Sequence, residues 1–302
     1  MSQGPPGSTW AGREAAEAPR DADSTRSRHF RALTRRRGFA YALALGGMAA
    51  LVGGAWLHSL ALATAGPVAV AAIVVLVAFA TADRRAEEDF FTAYARGRDL
   101  SRIEGHTSLP PVTPLLSRGD RRYAQERFNG VLPGGLDGSL CLYTYEEETT
   151  DSDGDRQTTY VHFTIVITQL PATAALIQEL YCQRRVGFRF MDSMEDVFRK
   201  RQRVEQESAA VDKEFEIFTG ANDDLARARQ ILSPSFLVWL ESHAPEAYAF
   251  ELVAGSLVCN VKGHKKSAAE LDEICIASAA VARRMDEEAS ELGPAPLPPP
   301  PP

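Results

Sequence analysis

The most conspicuous absence in this 302-residue chain is of charge: residues 38–82, 45 positions between Arg37 and Asp83, hold no Asp, Glu, Lys or Arg. That excludes an ordinary amphipathic surface helix, which needs a polar face. One membrane crossing takes ~20 apolar residues, so the run is too long for one span and fits two. The sequence places them near Gly38–Leu57 and Ala63–Ala82, with His58 and Ser59 at the turn and Trp56 at the interface. Gly46, Ala50 and Gly54 recur at intervals of four and put small residues on one helix face. Backbones approach closely at such a face, either within the hairpin or between copies in a homo-oligomer.

Paired cysteines are missing too. Cys141, Cys182, Cys259 and Cys275 show neither disulfide-framework nor zinc spacing. Cys275 on an apolar helix face and Cys259 in an apolar strand read as buried thiols. His162, His243 and His264 match no ligand pattern. The chain has no phosphate-cradling glycine loop, no dinucleotide fingerprint and no G-x-S-x-G elbow. No residue is nominated as catalytic, cofactor-binding or metal-ligating, and no cofactor is expected. Basic residues are not in excess: the net charge is −7, and because residues 1–37 carry eight Arg against Glu14, Glu17, Asp21 and Asp23, the remainder carries −11. So acidic a body argues against nucleic acid as a partner.

What charge there is gives an orientation. Arg26, Arg28, Arg31, Arg35, Arg36 and Arg37 precede the first apolar segment, and Arg84 and Arg85 follow the second. Positive residues stay inside, so the expectation is a multi-pass protein of the bacterial plasma membrane with both termini cytoplasmic. A cleaved signal peptide is disfavoured, because a second apolar segment follows the A-x-A site at Ala63–Ala65.

The chain therefore divides into a disordered Arg-containing tail (1–37), a two-helix transmembrane hairpin (38–82), a membrane-proximal helix with Phe90, Phe91 and Tyr94 on one side (83–104), a cytosolic α+β domain (105–290) and a disordered proline-rich tail (291–302). The expected fold class is α+β: a transmembrane helical hairpin followed by a mostly antiparallel sheet covered by helices.

Thr107–Leu116 holds three prolines and reads as a loop. From Tyr160, Val161, Phe163, Ile165 and Ile167 alternate with polar residues, which marks a half-buried strand. Asp153–Gly154 suits a two-residue turn, and that turn pairs Asp151 with Arg156, Leu142 with Ile165 and Leu140 with Ile167. The tip Asp151–Asp155 superficially resembles a calcium loop. Counted from Asp151, however, loop positions 6 and 12 are Arg156 and His162 where Gly and Glu are needed, so a solvated turn is expected.

Further on, Met191–Ser208 reads as helical and Phe215–Ile217 as a strand. Asn222 is placed as the cap of a helix running to Leu232, and Ser233–Pro234 starts another. Glu251–Val253 and Ser256–Val261 read as strands joined at Gly255. Lys262–Lys266, "KGHKK", is a basic cluster at a strand–helix junction. Ser267-x-x-Glu270 is a capping box, and Leu271, Ile274, Cys275, Ser278, Ala282 and Met285 continue from it as one stripe.

"TPLLSRGDRR" at Thr113–Arg122 and "FEIFTGANDDLARARQILSPSF" at Phe215–Phe236 resemble a pattern in uncharacterised, actinobacterial-like membrane proteins that join an N-terminal two-helix hairpin to a cytosolic α+β domain. The resemblance implies that architecture and carries no activity or site residue. The expected function is a membrane-anchored cytosolic interaction domain with a protein partner. The alternative is a membrane-associated enzyme or small-ligand sensor whose site is not recognisable from sequence.

Overall fold

The computed structural model describes residues 48, 60–150, 155–184, 201–206 and 209–292. The chain divides into two compact units, residues 1–97 with 266–268, and residues 98–265 with 269–302.

In the first unit the described element is α1, Leu60–Gly97, a 38-residue helix. It corrects the expected fold class: among the described residues no helix is long and apolar enough to cross a membrane, and the expected second span is part of a longer helix. The expected first span lies outside the described residues except for Met48, as do Gly46, Ala50 and Gly54. The second span is the beginning of α1, which runs on without a break through Asp83, Arg84, Arg85, Glu87 and Glu88. Lacking charge is a weaker condition than being strongly apolar. Residues 61–69, "ALATAGPVA", are mostly Ala, Thr, Gly and Pro, which gain far less from lipid than Leu, Ile, Val or Phe.

The second unit is built on a nine-stranded antiparallel sheet. In chain order its elements are β1 (Ser101–Thr107), α2 (Pro114–Ser117), β2 (Arg121–Leu132), β3 (Leu136–Thr150), β4 (Arg156–Gln169), β5 (Glu179–Arg184), β6 (Gln202–Arg203), α3 (Ala209–Glu214), β7 (Phe215–Thr219), α4 (Leu225–Ile231), α5 (Pro234–His243), β8 (Ala249–Val253), β9 (Ser256–Lys262) and α6 (Ala268–Leu292). The strands lie in the order β1-β2-β3-β4-β9-β8-β5-β7-β6. The mostly antiparallel α+β reading of this region agrees with the structure.

Each face of the sheet has its own cover. On one, α6 lies against the strands: the Tyr248 hydroxyl donates to Ser278 Oγ at 3.3 Å, and Leu271, Ile274, Cys275, Ser278, Ala282 and Met285 are all buried. The stripe expected from helical spacing is the core of that face. The other face is closed by a strap, residues 108–118, whose Leu109, Leu115 and Leu116 pack with Cys141, Tyr143, Tyr145, Phe163, Ile165, Tyr181 and Val258. Thr113 caps the short α2, with Pro114 opening its first turn.

With both faces covered, Ser139–Tyr145 of β3 is buried without alternation. This explains a one-residue error in the expected register. Leu142 pairs with Thr164, Leu140 with Val166 and Thr150 with Arg156, and a slip of one moves every side chain to the opposite face. Ile165 therefore lies beside Cys141 on the strap face, and Leu140 beside Val166 under α6.

Other boundaries also moved. Ser101–Thr107 is a strand, although 83–104 reads as helical. The cap of α4 is Asp224, whose carboxylate accepts from the Ala226 N–H at 2.8 Å, and Asn222 is not the cap. Gln202–Arg203 is a strand within a stretch expected to be helical, and residues 191–200 lie outside the described residues. The β8–β9 hairpin turns at Ala254–Gly255, both with positive φ (47° and 82°), the backbone of a tight two-residue turn.

Candidate functional site

β3 and β4 are the longest strands of the sheet, and they outrun their neighbours at one end. On one side, β2 pairs with β3 only as far as Glu146. Asp120 then closes this edge: its N–H donates to Glu146 O at 2.8 Å, and its carboxylate accepts from the Glu148 N–H at 2.9 Å. On the other side, β9 pairs with β4 only from Phe163 onward, with one further bond at 2.7 Å from the Gly263 N–H to His162 O. Beyond that point, Arg156–Val161 pairs with β3 alone. The result is a projecting two-stranded arm, exposed over Glu148–Thr150 and Asp155–Tyr160, with one edge unpaired among the described residues. Tyr160, 54% exposed, is the large side chain on that edge.

At the base of the arm, beside the end of β9, lies a cleft of about 480 Å³ bordered by Arg118, Tyr145, Glu147, Val161 and Lys262. Arg118, which leaves the strap, bonds Glu147 at 2.7 Å and lies 5.3 Å from the centre of the Tyr145 ring. Burial pushes the Tyr145 phenol up to about 12, against the opposing pull of Arg118.

Residues 262–265 of the basic cluster are folded onto β4 at this corner. Gly263 (φ +85°) turns the chain. Thr164 Oγ1 donates to Gly263 O at 2.9 Å and accepts from the Lys265 N–H at 2.8 Å. His264 and His162 come together, with ring centres 4.6 Å apart. His264 Nε2 lies 3.1 Å from Tyr143 O, and a carbonyl only accepts, so that nitrogen carries the proton. Thr144 Oγ1 lies between the rings, 2.9 Å from His162 Nδ1 and 3.3 Å from His264 Nε2. His243 is elsewhere, stacked on Trp239. The described residues hold no group of three or more His, Cys, Asp or Glu fit to bind a metal. Of the Asp151–Asp155 tip, only Asp155 is among the described residues.

The groups whose proton affinity is most displaced lie away from the cleft's open side. Cys141, Cys182, Cys259 and Cys275 are all buried and outside any disulfide, as expected for Cys259 and Cys275. Burial pushes the Cys141 thiol up to about 12 and that of Cys259 up to about 11. Glu251 is the acid that sequence reading missed. It sits in β8 on the strap face, 3% exposed, and burial raises its carboxyl to about 7. The Thr113 hydroxyl, the Leu115 N–H and Arg201 pull the other way. Oε2 accepts from the Leu115 N–H at 3.0 Å, while Oε1 has no hydrogen-bond partner. Tyr143, whose hydroxyl donates to Leu115 O at 3.2 Å, and Tyr181 face the same carboxylate. The available signal was a lone ionisable residue inside the apolar strand "AFELV". Through the Leu115 N–H it ties the strap to β8.

No family model matches the chain, and neither a curated protein nor a solved structure matches it.

Proposed function

We propose that this domain is a protein-interaction module that takes an extended segment alongside the arm. The observation that carries the reading is the unpaired edge of β4 over Arg156–Val161, next to a cleft of about 480 Å³. An open edge presents a row of N–H and C=O groups to another strand. Main-chain bonds supply the affinity of such an addition and flanking pockets its specificity. The edge lacks the usual protections. It is not short, it carries no lysine or proline, and no bulge twists it away over Arg156–Val161.

A photo-crosslinking side chain at position 158, on the open edge, tests this in cells, with position 287 on the exposed side of α6 as the control. Adducts of defined mass at 158 and not at 287 are expected, disappearing when Tyr160 is replaced by Pro. Equal labelling at both positions contradicts the reading.

A further inference from the structure

The open edge is self-complementary, and we propose that its occupant is the same edge of a second copy of this chain. This rests on reading the arm as the interaction surface and adds the identity of the partner.

The register follows from one hydrogen bond. His162 O points away from β3, towards Gly263. In an antiparallel strand the outward-facing residues alternate, so Tyr160, Thr158 and Arg156 also direct their N–H and C=O groups at the open edge. Two such edges can pair about a two-fold axis through Thr158. Arg156 of each copy then faces Tyr160 of the other. Glu146 follows Tyr160 in the same row across the sheet, so the guanidinium meets first an aromatic ring and then a carboxylate. Cross-strand pairs of these kinds are favourable, and the symmetry supplies each of them twice.

The charges beyond the paired segment also match. In this register Asp155 of one copy faces Val161 of the other, which borders the cleft beside Arg118 and Lys262. Asp151 and Asp153 immediately precede Asp155 in sequence, whereas Lys262 makes the last pairing of β9 and Lys265 follows it. Asp155 of one copy thus arrives beside the Arg118–Lys262 corner of the other.

Sedimentation equilibrium on the purified full-length chain, from micromolar to hundreds of micromolar, tests the inference. A reversible monomer–dimer equilibrium is expected, weakening with added salt because the charges are exposed. Thr158→Pro should abolish dimerisation without altering the thermal melt, since its N–H faces the open edge, where proline is tolerated. Lys262→Glu and Asp155→Lys should each weaken the dimer about tenfold, and the two together should return it to within about threefold of the original. A dimer indifferent to Thr158→Pro, or charge reversals that do not rescue each other, overturns the proposal. A chain monomeric throughout overturns it as well. If position 158 still captures another protein in that case, only the second-copy inference falls; if its adducts match those at position 287, the reading of the arm falls with it.

Discussion

Strands β3 and β4 lie under two regimes along their length. Over Ser139–Tyr145 and Phe163–Val166 they are buried, with strands on both sides, α6 over one face and the strap over the other. Over Glu148–Thr150 and Asp155–Tyr160 they are exposed, and β4 there has a neighbour on one side only. A two-stranded projection is marginal by itself. The body explains how the chain folds, whereas the projection adds little to that folding. The contrast is therefore between residues whose loss should unfold the protein and residues whose loss should leave it folded.

The largest effect belongs to the body. Ile274→Ala or Leu271→Ala, both fully buried under the sheet, should each cost about 2–5 kcal/mol of unfolding free energy in a denaturant titration. Glu287→Ala, on the exposed side of the same helix, should cost a small fraction of that. If all three cost the same, α6 is not the cover described.

Next is Glu251. The folded chain keeps its carboxyl protonated up to about pH 7, while the unfolded chain releases the proton near the ordinary 4.5. Its contribution is complete below pH 4.5 and is lost as pH rises to about 7, a loss on the order of 3 kcal/mol. Glu251→Gln keeps an acceptor for Leu115 and cannot ionise. It should match the original chain near pH 5 and be the more stable of the two at pH 8, as read by the denaturation midpoint. If the two stability–pH curves run parallel from 5 to 8, the carboxylate is not buried as described.

A smaller loss is expected at the β8–β9 turn. Gly255 has φ +82°, and an added Cβ would lie 3.0 Å from Leu170 O. Gly255→Ala should cost about 1–2 kcal/mol, the penalty for a left-handed conformation, and thermal unfolding would show it. The smallest effects belong to the arm. Asp155→Asn and Thr158→Pro should change monomer stability by no more than ~0.5 kcal/mol. A larger loss would mean that the arm supports the body.

These regimes also decide how much the sequence reveals. The α6 stripe was legible because a helix with one wet side leaves a helical period, and Leu271 to Met285 keep it. The β3–β4 hairpin was legible as a hairpin but misregistered, because alternation marks a strand with one wet face and Ser139–Tyr145 has none. β1 was missed because "SRIEGHT" is an exposed edge strand with too few apolar residues to show a period. The 45-residue run was read from its missing charge, and among the described residues no helix is long and apolar enough to cross a membrane. Of the candidate site, the strand β4 and the basic cluster were visible in the sequence. The open edge was not, because it depends on where β9 stops beside β4, and pairing length leaves no local trace in sequence.

Hydrogen exchange on the full-length chain tests the central claim most directly, comparing arm amides 156–161 with body amides 163–169 at increasing protein concentration. The account predicts that the body is protected at every concentration, while Thr158 and Tyr160 exchange freely in dilute protein and gain protection as concentration rises. Arm amides protected in dilute protein as strongly as the body would contradict it, because the edge would then be covered within a single chain.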